Sequence, residues 1–267
     1  MDLNIRKYRK KDEIIINCFD TWSDSMKKLI SDKYEIIKKF RKRNEEIDDL
    51  KRRYKQENKI YDIFDTRNEY NNAFNELKEK FKNILLSENK LFICFHSSRY
   101  TEKEKDRIKE DGLKISSKVN LYNRIDNLLK DGYINENECT FLKKHNLLLK
   151  PNNRENQLWV TTGNVDISTE STGLYYVYNN YGGEIIYCCK DNESLVKKLN
   201  ILSKPYLVVL KLRPKQIEHN LNFLIENIFN RINFDNSEKV EYEFYTNDEP
   251  IFIEDIIEVD ENSRIII

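Results

Sequence analysis

Residues 91–113, LFICFHSSRYTEKEKDRIKEDGL, decide how this chain is read. Leu91 through Phe95 is a short unbroken apolar run, the pattern of a strand covered on both faces. His96 and Ser97 follow it, placing an imidazole at the strand end, where a ligand can approach. Thr101 is an N-cap for the next helix, and Glu104 three residues on completes a capping box. Gly112 supplies the left-handed residue that ends it. Strand, His-Ser, capped helix and Gly-Leu form one compact unit, and the position of His96 within it needs a chemical reason.

Downstream of this unit, strand-like runs recur at 157–161, 184–189, 206–212, 243–246 and 256–259. Helical segments lie near 122–130, 136–145, 172–180, 193–199 and 219–231. Short strands mixed irregularly with helices predict an α+β domain rather than steady βαβ alternation. Gly182-Gly183 is the only paired glycine and no Gly-Lys-Ser/Thr occurs, which argues against dinucleotide and P-loop folds. Tyr181-Gly182-Gly183-Glu184 reads as a turn out of a helix into the next strand.

Upstream the texture is different. Residues 20–88 contain no Gly or Pro, and apolar residues recur near heptad spacing at Leu29, Ile36, Phe40, Ile47, Leu50, Tyr54 and Tyr61. That spacing predicts a helical hairpin or coiled-coil-like arm. Arg43 and Glu57 interrupt the seam, which argues against one long uninterrupted coiled coil. Basic groups at 38–43 and 51–53 are separated by Glu45, Glu46, Asp48 and Asp49, the pattern of a solvated mixed-charge face. The expected division is residues 1–88, helical, and 89–267, α+β, with the helices available for a partner or for self-association.

The 267 residues carry 46 Lys+Arg against 46 Asp+Glu, so net charge favours neither nucleic acid nor any other charged partner. The five cysteines (Cys18, Cys94, Cys139, Cys188, Cys189) are odd in number, with no CxxC pair and no His at metal spacing. No metal site and a reducing compartment are expected. The N-terminus has no apolar core of a signal peptide, and no stretch approaches the length of a membrane span. A cytoplasmic protein without a membrane partner is the expectation.

Three separated segments look like ligand-facing strand ends: Phe95-His96-Ser97-Ser98; Trp159-Val160-Thr161-Thr162 followed by Thr172 and the tyrosines at 175, 176 and 178; and Glu241-Tyr242-Glu243 before Pro250 and Ile256-Ile257. A His-bearing strand, a Thr-bearing strand before a Tyr-bearing helix, and a late Glu opening a strand, in that order, resemble the ADP-ribosyltransferase superfamily. The closer likeness is to its diphtheria-toxin-like branch with a His-Tyr-Glu triad, and it spans about residues 90–260. Glu241-x-Glu243 also resembles the Glu-x-Glu of the Arg-Ser-Glu branch. Ser97-Ser98 departs from the Gly-Thr or Gly-Ser that commonly follows the family's His.

The resemblance implies a split β-sheet domain that binds NAD⁺ as substrate and cleaves its bond to nicotinamide. It implies that His96 hydrogen-bonds the nicotinamide-side ribose, with Ser97, Ser98 and Thr161 nearby. It implies that Tyr175 stacks on nicotinamide, with Tyr176 and Tyr178 as rivals, and that Glu243 stabilises the charge that develops as nicotinamide leaves. Glu241 would meet the acceptor. An acceptor-only carboxylate suits an oxocarbenium-like transition state, as in glycoside hydrolysis. The acceptor is a macromolecule (protein, RNA or DNA), and an intracellular toxin or antiviral defence effector fits the absence of a secretion signal. Two alternatives stand beside this: a non-catalytic protein that binds nucleic acid or a partner on the same or a related fold, and another transferase or hydrolase on an unrelated α+β fold.

Overall fold

The computed structural model describes residues 2–16, 18–56, 66–146, 155–162, 180–182, 192–232, 242–259 and 264–266. The strands are β1 (Asp2–Asn4), β2 (Phe92–Tyr100), β3 (Leu158–Thr162), β4 (Lys204–Leu212), β5 (Tyr242–Thr246), β6 (Ile253–Glu258) and β7 (Arg264–Ile266). The helices are α1 (Asp24–Gln56), α2 (Asn71–Glu88), α3 (Glu102–Asp111), α4 (Lys118–Lys130), α5 (Glu136–Lys144), α6 (Glu193–Leu202) and α7 (Leu221–Arg231). The expected α+β class is observed, with a helical N-terminal region and an antiparallel sheet in the order β5-β3-β2-β4-β6. The predicted strand at 184–189 and the Tyr-bearing helix at 172–180 lie outside the described residues, apart from Asn180.

Side chains of a strand alternate between faces, and here the alternation sorts two cores. On one face Phe92, Cys94 and Tyr100 of β2 join Tyr206, Val208, Leu210 and Leu212 of β4, Val160 of β3 and Phe244 of β5. This face is covered by α1, α2 and α7. On the other face Ile93 and Phe95 join Leu207 and Val209, covered by Ile15 and Cys18 of the N-terminal segment and by Val259. That segment is tied down by Ile14, whose N–H donates to Leu91 O at 2.9 Å and whose carbonyl accepts from Ile93 N at 3.1 Å. Lys211 Nζ, 3.0 Å from both Glu13 and Glu254, adds an ion triad at the same edge, in which Lys211 and Glu13 are nearly buried and Glu254 is half-buried. A third apolar cluster unites α4, α5 and α6 around Tyr181, Leu128, Leu142 and Leu199.

Three expectations are corrected. The N-terminal helices are not a separable arm, because the packing does not stop at residue 88. Met26, Ile30, Ile37 and Phe40 of α1 and Phe74, Leu77, Phe81 and Leu85 of α2 belong to the same core as Phe92, Val208 and Phe229. Phe40 stacks on Phe74 at 3.7 Å, Phe81 meets Trp22 at 5.1 Å, and Phe74 and Phe81 meet the edge of Phe229 at 5.8 and 5.2 Å. The seam of α1 is also displaced: Met26, Ile30, Ile37, Phe40 and Ile47 are buried, while Leu29, Ile36 and Leu50 sit half-buried beside it. Finally, β2 does not end at Phe95 but runs to Tyr100, paired with β4 along its whole length. Hydrogen bonding to a neighbour, not hydrophobicity, carries Ser97, Ser98 and Arg99 into the strand.

The helix after β2 is as expected. The Thr101 side chain accepts from Glu104 N at 3.3 Å, and Glu104 Oε2 accepts from Thr101 N at 2.8 Å. Gly112 ends α3 at φ 78°, and a Cβ there would stand 2.6 Å from Ile251 O. The position requires glycine both for its dihedral and for that approach. On the solvent side of α1, Lys38 pairs with Glu35, Arg52 with Asp49, and Arg43 with Glu46 and Glu69, the expected mixed-charge face.

Candidate functional site

The three motif strands, separated by some sixty to eighty residues in sequence, are neighbours in the sheet: β2 with His96, β3 with Thr161 and β5 with Glu243 lie side by side. Thr161 is the link. It pairs with Phe95 on one side and Glu243 on the other. The sheet opens at this point: β2 and β3 share only the Phe95–Thr161 pair, whereas β3 and β5 stay paired from Leu158 to Thr162.

His96 sits where β2 and β3 part. Its Nδ1 lies 2.8 Å from Trp159 O, so the ring bridges the two strands where their ladder lapses. A carbonyl oxygen can only accept, so Nδ1 carries the proton, and in the neutral ring Nε2 is left as an acceptor. Burial holds the His96 pKa below its ordinary value, aided by the Arg124 charge; the bond to Trp159 opposes both. The imidazole is therefore neutral at physiological pH.

The expected constellation is divided between two rows of the sheet. His96 pairs with Val208, on the face covered by α1, α2 and α7. Phe95, Thr161 and the backbone of Glu243 form the next row. Adjacent rows emerge on opposite faces, so His96 and Thr161 do not share one. Ser97 stands in a row of Thr161's kind, and Ser98 on the His96 side, within hydrogen-bonding reach of Tyr100. Ser97 Oγ, Thr161 Oγ1 and Thr162 Oγ1 are buried and have no protein partner. Tyr175, Tyr176, Tyr178 and Glu241 lie outside the described residues.

A polar cluster beside His96 was not read from the sequence. Arg124 of α4 donates from Nε to Glu104 Oε1 at 2.6 Å and from Nη2 to Arg99 O at 3.1 Å. Its guanidinium lies 5.2 Å from the Tyr100 ring centroid and 4.8 Å from that of Tyr181. The Tyr181 hydroxyl donates to Glu104 Oε1 at 2.6 Å. Glu104 is thus fully satisfied by a cation, a phenol and a backbone N–H. Burial raises Tyr181 well above the usual phenol range and Tyr100 to about 12. For Arg124 burial works against the charge, but Glu104 outweighs it and the pKa is raised.

The sequence did carry one signal for this cluster. Leu121, Ile125 and Leu128 define the buried stripe of α4, and Arg124 falls within it, three residues after the first and four before the last. A charged residue at a core position requires a buried partner.

Among the described residues no group of His, Cys, Asp and Glu stands close enough to hold a metal ion. No described helix is long and apolar enough to cross a membrane. No protein-family model, curated protein or solved structure matches the chain.

Proposed function

We propose that the protein is an NAD⁺-dependent mono-ADP-ribosyltransferase acting on a macromolecule, as an intracellular toxin or defence effector would. The observation that supports this best is the convergence of the three motif strands: β2, β3 and β5 are adjacent, and His96 stands where the first two separate.

In this reading the neutral His96 accepts a ribose hydroxyl at Nε2, because Trp159 O fixes the opposite tautomer. The unpartnered hydroxyl of Thr162, on the His96 face of β3, suits a ligand rich in donors and acceptors, since it can serve as either, while Ser97 and Thr161 lie on the opposite face. Glu243, on the strand beside Thr161, is the carboxylate for the oxocarbenium-like state, and Tyr175 is the stacking ring. NAD⁺ is the substrate, and the cleavage needs no metal. The Arg124–Glu104–Tyr181 cluster holds the end of β2, through Arg99 O, against α3 and α4. Transfer to protein, RNA or DNA is the acceptor class, with Glu241 at its entrance.

The test is Glu243→Gln in the full chain. NAD⁺ hydrolysis and label transfer from NAD⁺ into a cell lysate should both fall by about 10²-fold or more, the scale of removing one key electrostatic group, with NAD⁺ affinity little changed. Glu241→Gln should reduce transfer and spare hydrolysis. Undiminished hydrolysis by a folded Glu243→Gln protein would sink the proposal.

A further inference from the structure

We infer that α4, α5 and α6 form a cap that lifts from the sheet as one body, with the Arg124 guanidinium as its catch, and that its lifting opens the way to His96. This does not depend on the NAD⁺ reading. The three helices have a core of their own: Leu121 and Leu128 of α4, Leu142 of α5 and Leu199 of α6 close around Tyr181. They are also tied to one another. Lys198 of α6 lies 2.7 Å from Glu138 of α5, Lys143 of α5 pairs with Asp126 of α4, and the Tyr122 hydroxyl donates to Lys143 O at 3.1 Å.

No described member of that core belongs to the core beneath α1, α2 and α7. Across the seam between the two stands a set of charged and hydrogen-bonding groups. Arg124 reaches one ring of each core, Tyr100 of the sheet at 5.2 Å and Tyr181 of the cap at 4.8 Å, and donates to Glu104 and to Arg99 O. Arg107 of α3 meets Asp131, at the end of α4, at 2.6 Å. At the end of α6, Arg99 donates to Asn200 O and Ser203 O, at 2.9 and 2.6 Å, which pins the point where the cap passes into β4 and makes it the pivot.

Parting such a seam costs less than parting an apolar one. Burying Arg124 with Glu104 and Arg107 with Asp131 strips water from four charges, and their mutual attraction returns little beyond that cost. The Glu104 and Asp131 side chains are only 6 % and 7 % exposed. When the cap lifts, both pairs regain water. Arg107 Nη1, buried and without a partner in the closed form, gains one as well. Units joined to the rest by few apolar contacts open below the free energy of global unfolding. Lifting Arg124 bares Tyr100, and Ser98 and His96 follow on the same face of β2, so the opening clears the row that leads to His96.

Amide hydrogen exchange of the full chain, followed by mass spectrometry, reads the opening. Peptides from α4, α5 and α6 should share one protection factor, about tenfold or more below that of β2 and β4. Ile30→Val, in the core beneath α1, should speed exchange of β2 and β4 several-fold and leave the three helices unchanged, because the cap opens without disturbing that core. Arg124→Met should speed all three helices together by about tenfold or more. Asp131→Asn gives the same test on the second ion pair if Arg124→Met does not fold. Access to His96 is read by carbethoxylation with diethyl pyrocarbonate, mapped by peptide so that His145 and His219 are counted apart. The variant that speeds the helices should speed modification of His96 by the same factor. The inference is overturned if the three helices exchange at unrelated rates or in step with β2 and β4, if Ile30→Val speeds them too, if no folded variant of the seam speeds them, or if His96 modification does not follow them.

Discussion

The two ends of one sheet face are held by opposite kinds of chemistry. Toward the start of β2, Phe92 and Cys94 lie under a wall of aromatic rings: Phe40, Phe74, Phe81 and Phe229, contributed by α1, α2 and α7. Toward its end, Tyr100 lies under Arg124, which is held in turn by Glu104 and shared with Tyr181, from α4, α3 and the turn at 180–182. The apolar end is fastened by area and volume, which many sequences can supply. The polar end is fastened by directional bonds that fail when any one partner is removed. His96 sits between the two ends, close enough to Arg124 for its charge to matter.

The largest expected effect concerns the apolar end. Deleting residues 1–88 removes four of the α1 residues and four of the α2 residues that share a core with the sheet, leaving Phe92, Val208 and Phe229 uncovered on that face. Truncating even one buried phenylalanine costs about 3–5 kcal/mol, against a total stability of about 5–15 kcal/mol. A chain of 89–267 should therefore be insoluble or lack a cooperative thermal transition by circular dichroism. A soluble, cooperatively melting 89–267 would restore the separable arm that the sequence suggests.

The polar end should respond less, and in a way that reveals its chemistry. Arg124→Met leaves the Glu104 carboxylate, 6 % exposed at its side chain, without its cation. The expected loss is about 3 kcal/mol in denaturant unfolding, the scale of orphaning one member of a buried pair. Replacing both, Arg124→Met with Glu104→Gln, should recover a large part of that loss, because the amide oxygen can still accept from Thr101 N and no buried charge remains. At the apolar end no such second substitution rescues the first. If the double variant is as unstable as the single one, the cluster acts through packing against Tyr100 and Tyr181 rather than through charge.

The same contrast explains what was legible in the sequence. The caps of α3, the strand at 204–212 and the helices near 118–145 follow local rules: a capping box, an apolar run, an amphipathic stripe. Features set by a distant partner were not legible. Ser97, Ser98 and Arg99 look like the end of a strand, not its middle, until β4 is known to pair with them. The seam of α1 turns toward Met26 and Ile30 because α2 and α7 are there to receive them. The buried triplet Ile14, Ile15 and Ile16 sits in a charged N-terminal segment whose role is set by β2. For the candidate site, the strands that carry it were legible and their adjacency was not; the division of His96 and Thr161 between faces depends on register, which one sequence does not encode locally.

The smallest expected effect is the most direct measure of how the two ends act on His96. Its pKa is lowered in the folded protein, so above the ordinary histidine value the ring is neutral in both folded and unfolded chains and contributes no pH dependence. As pH falls through the ordinary value near 6.5, the unfolded chain takes up a proton that the folded one refuses, and stability declines until the folded pKa is passed. The charge that bears on the ring among the described residues is that of Arg124 from α4, which is itself paired with Glu104 of α3. The chain has three histidines, so each imidazole can be followed separately by NMR. The His96 resonance should titrate below those of model peptides, and His96→Gln should flatten the fall in stability between neutral pH and the folded pKa. The Arg124→Met, Glu104→Gln pair should raise the His96 pKa only partway, since burial is the larger cause and remains. A His96 resonance that titrates at or above 6.5 would mean that the ring is not enclosed at the parting of β2 and β3, and the distinction between the two ends would lose the residue that joins them.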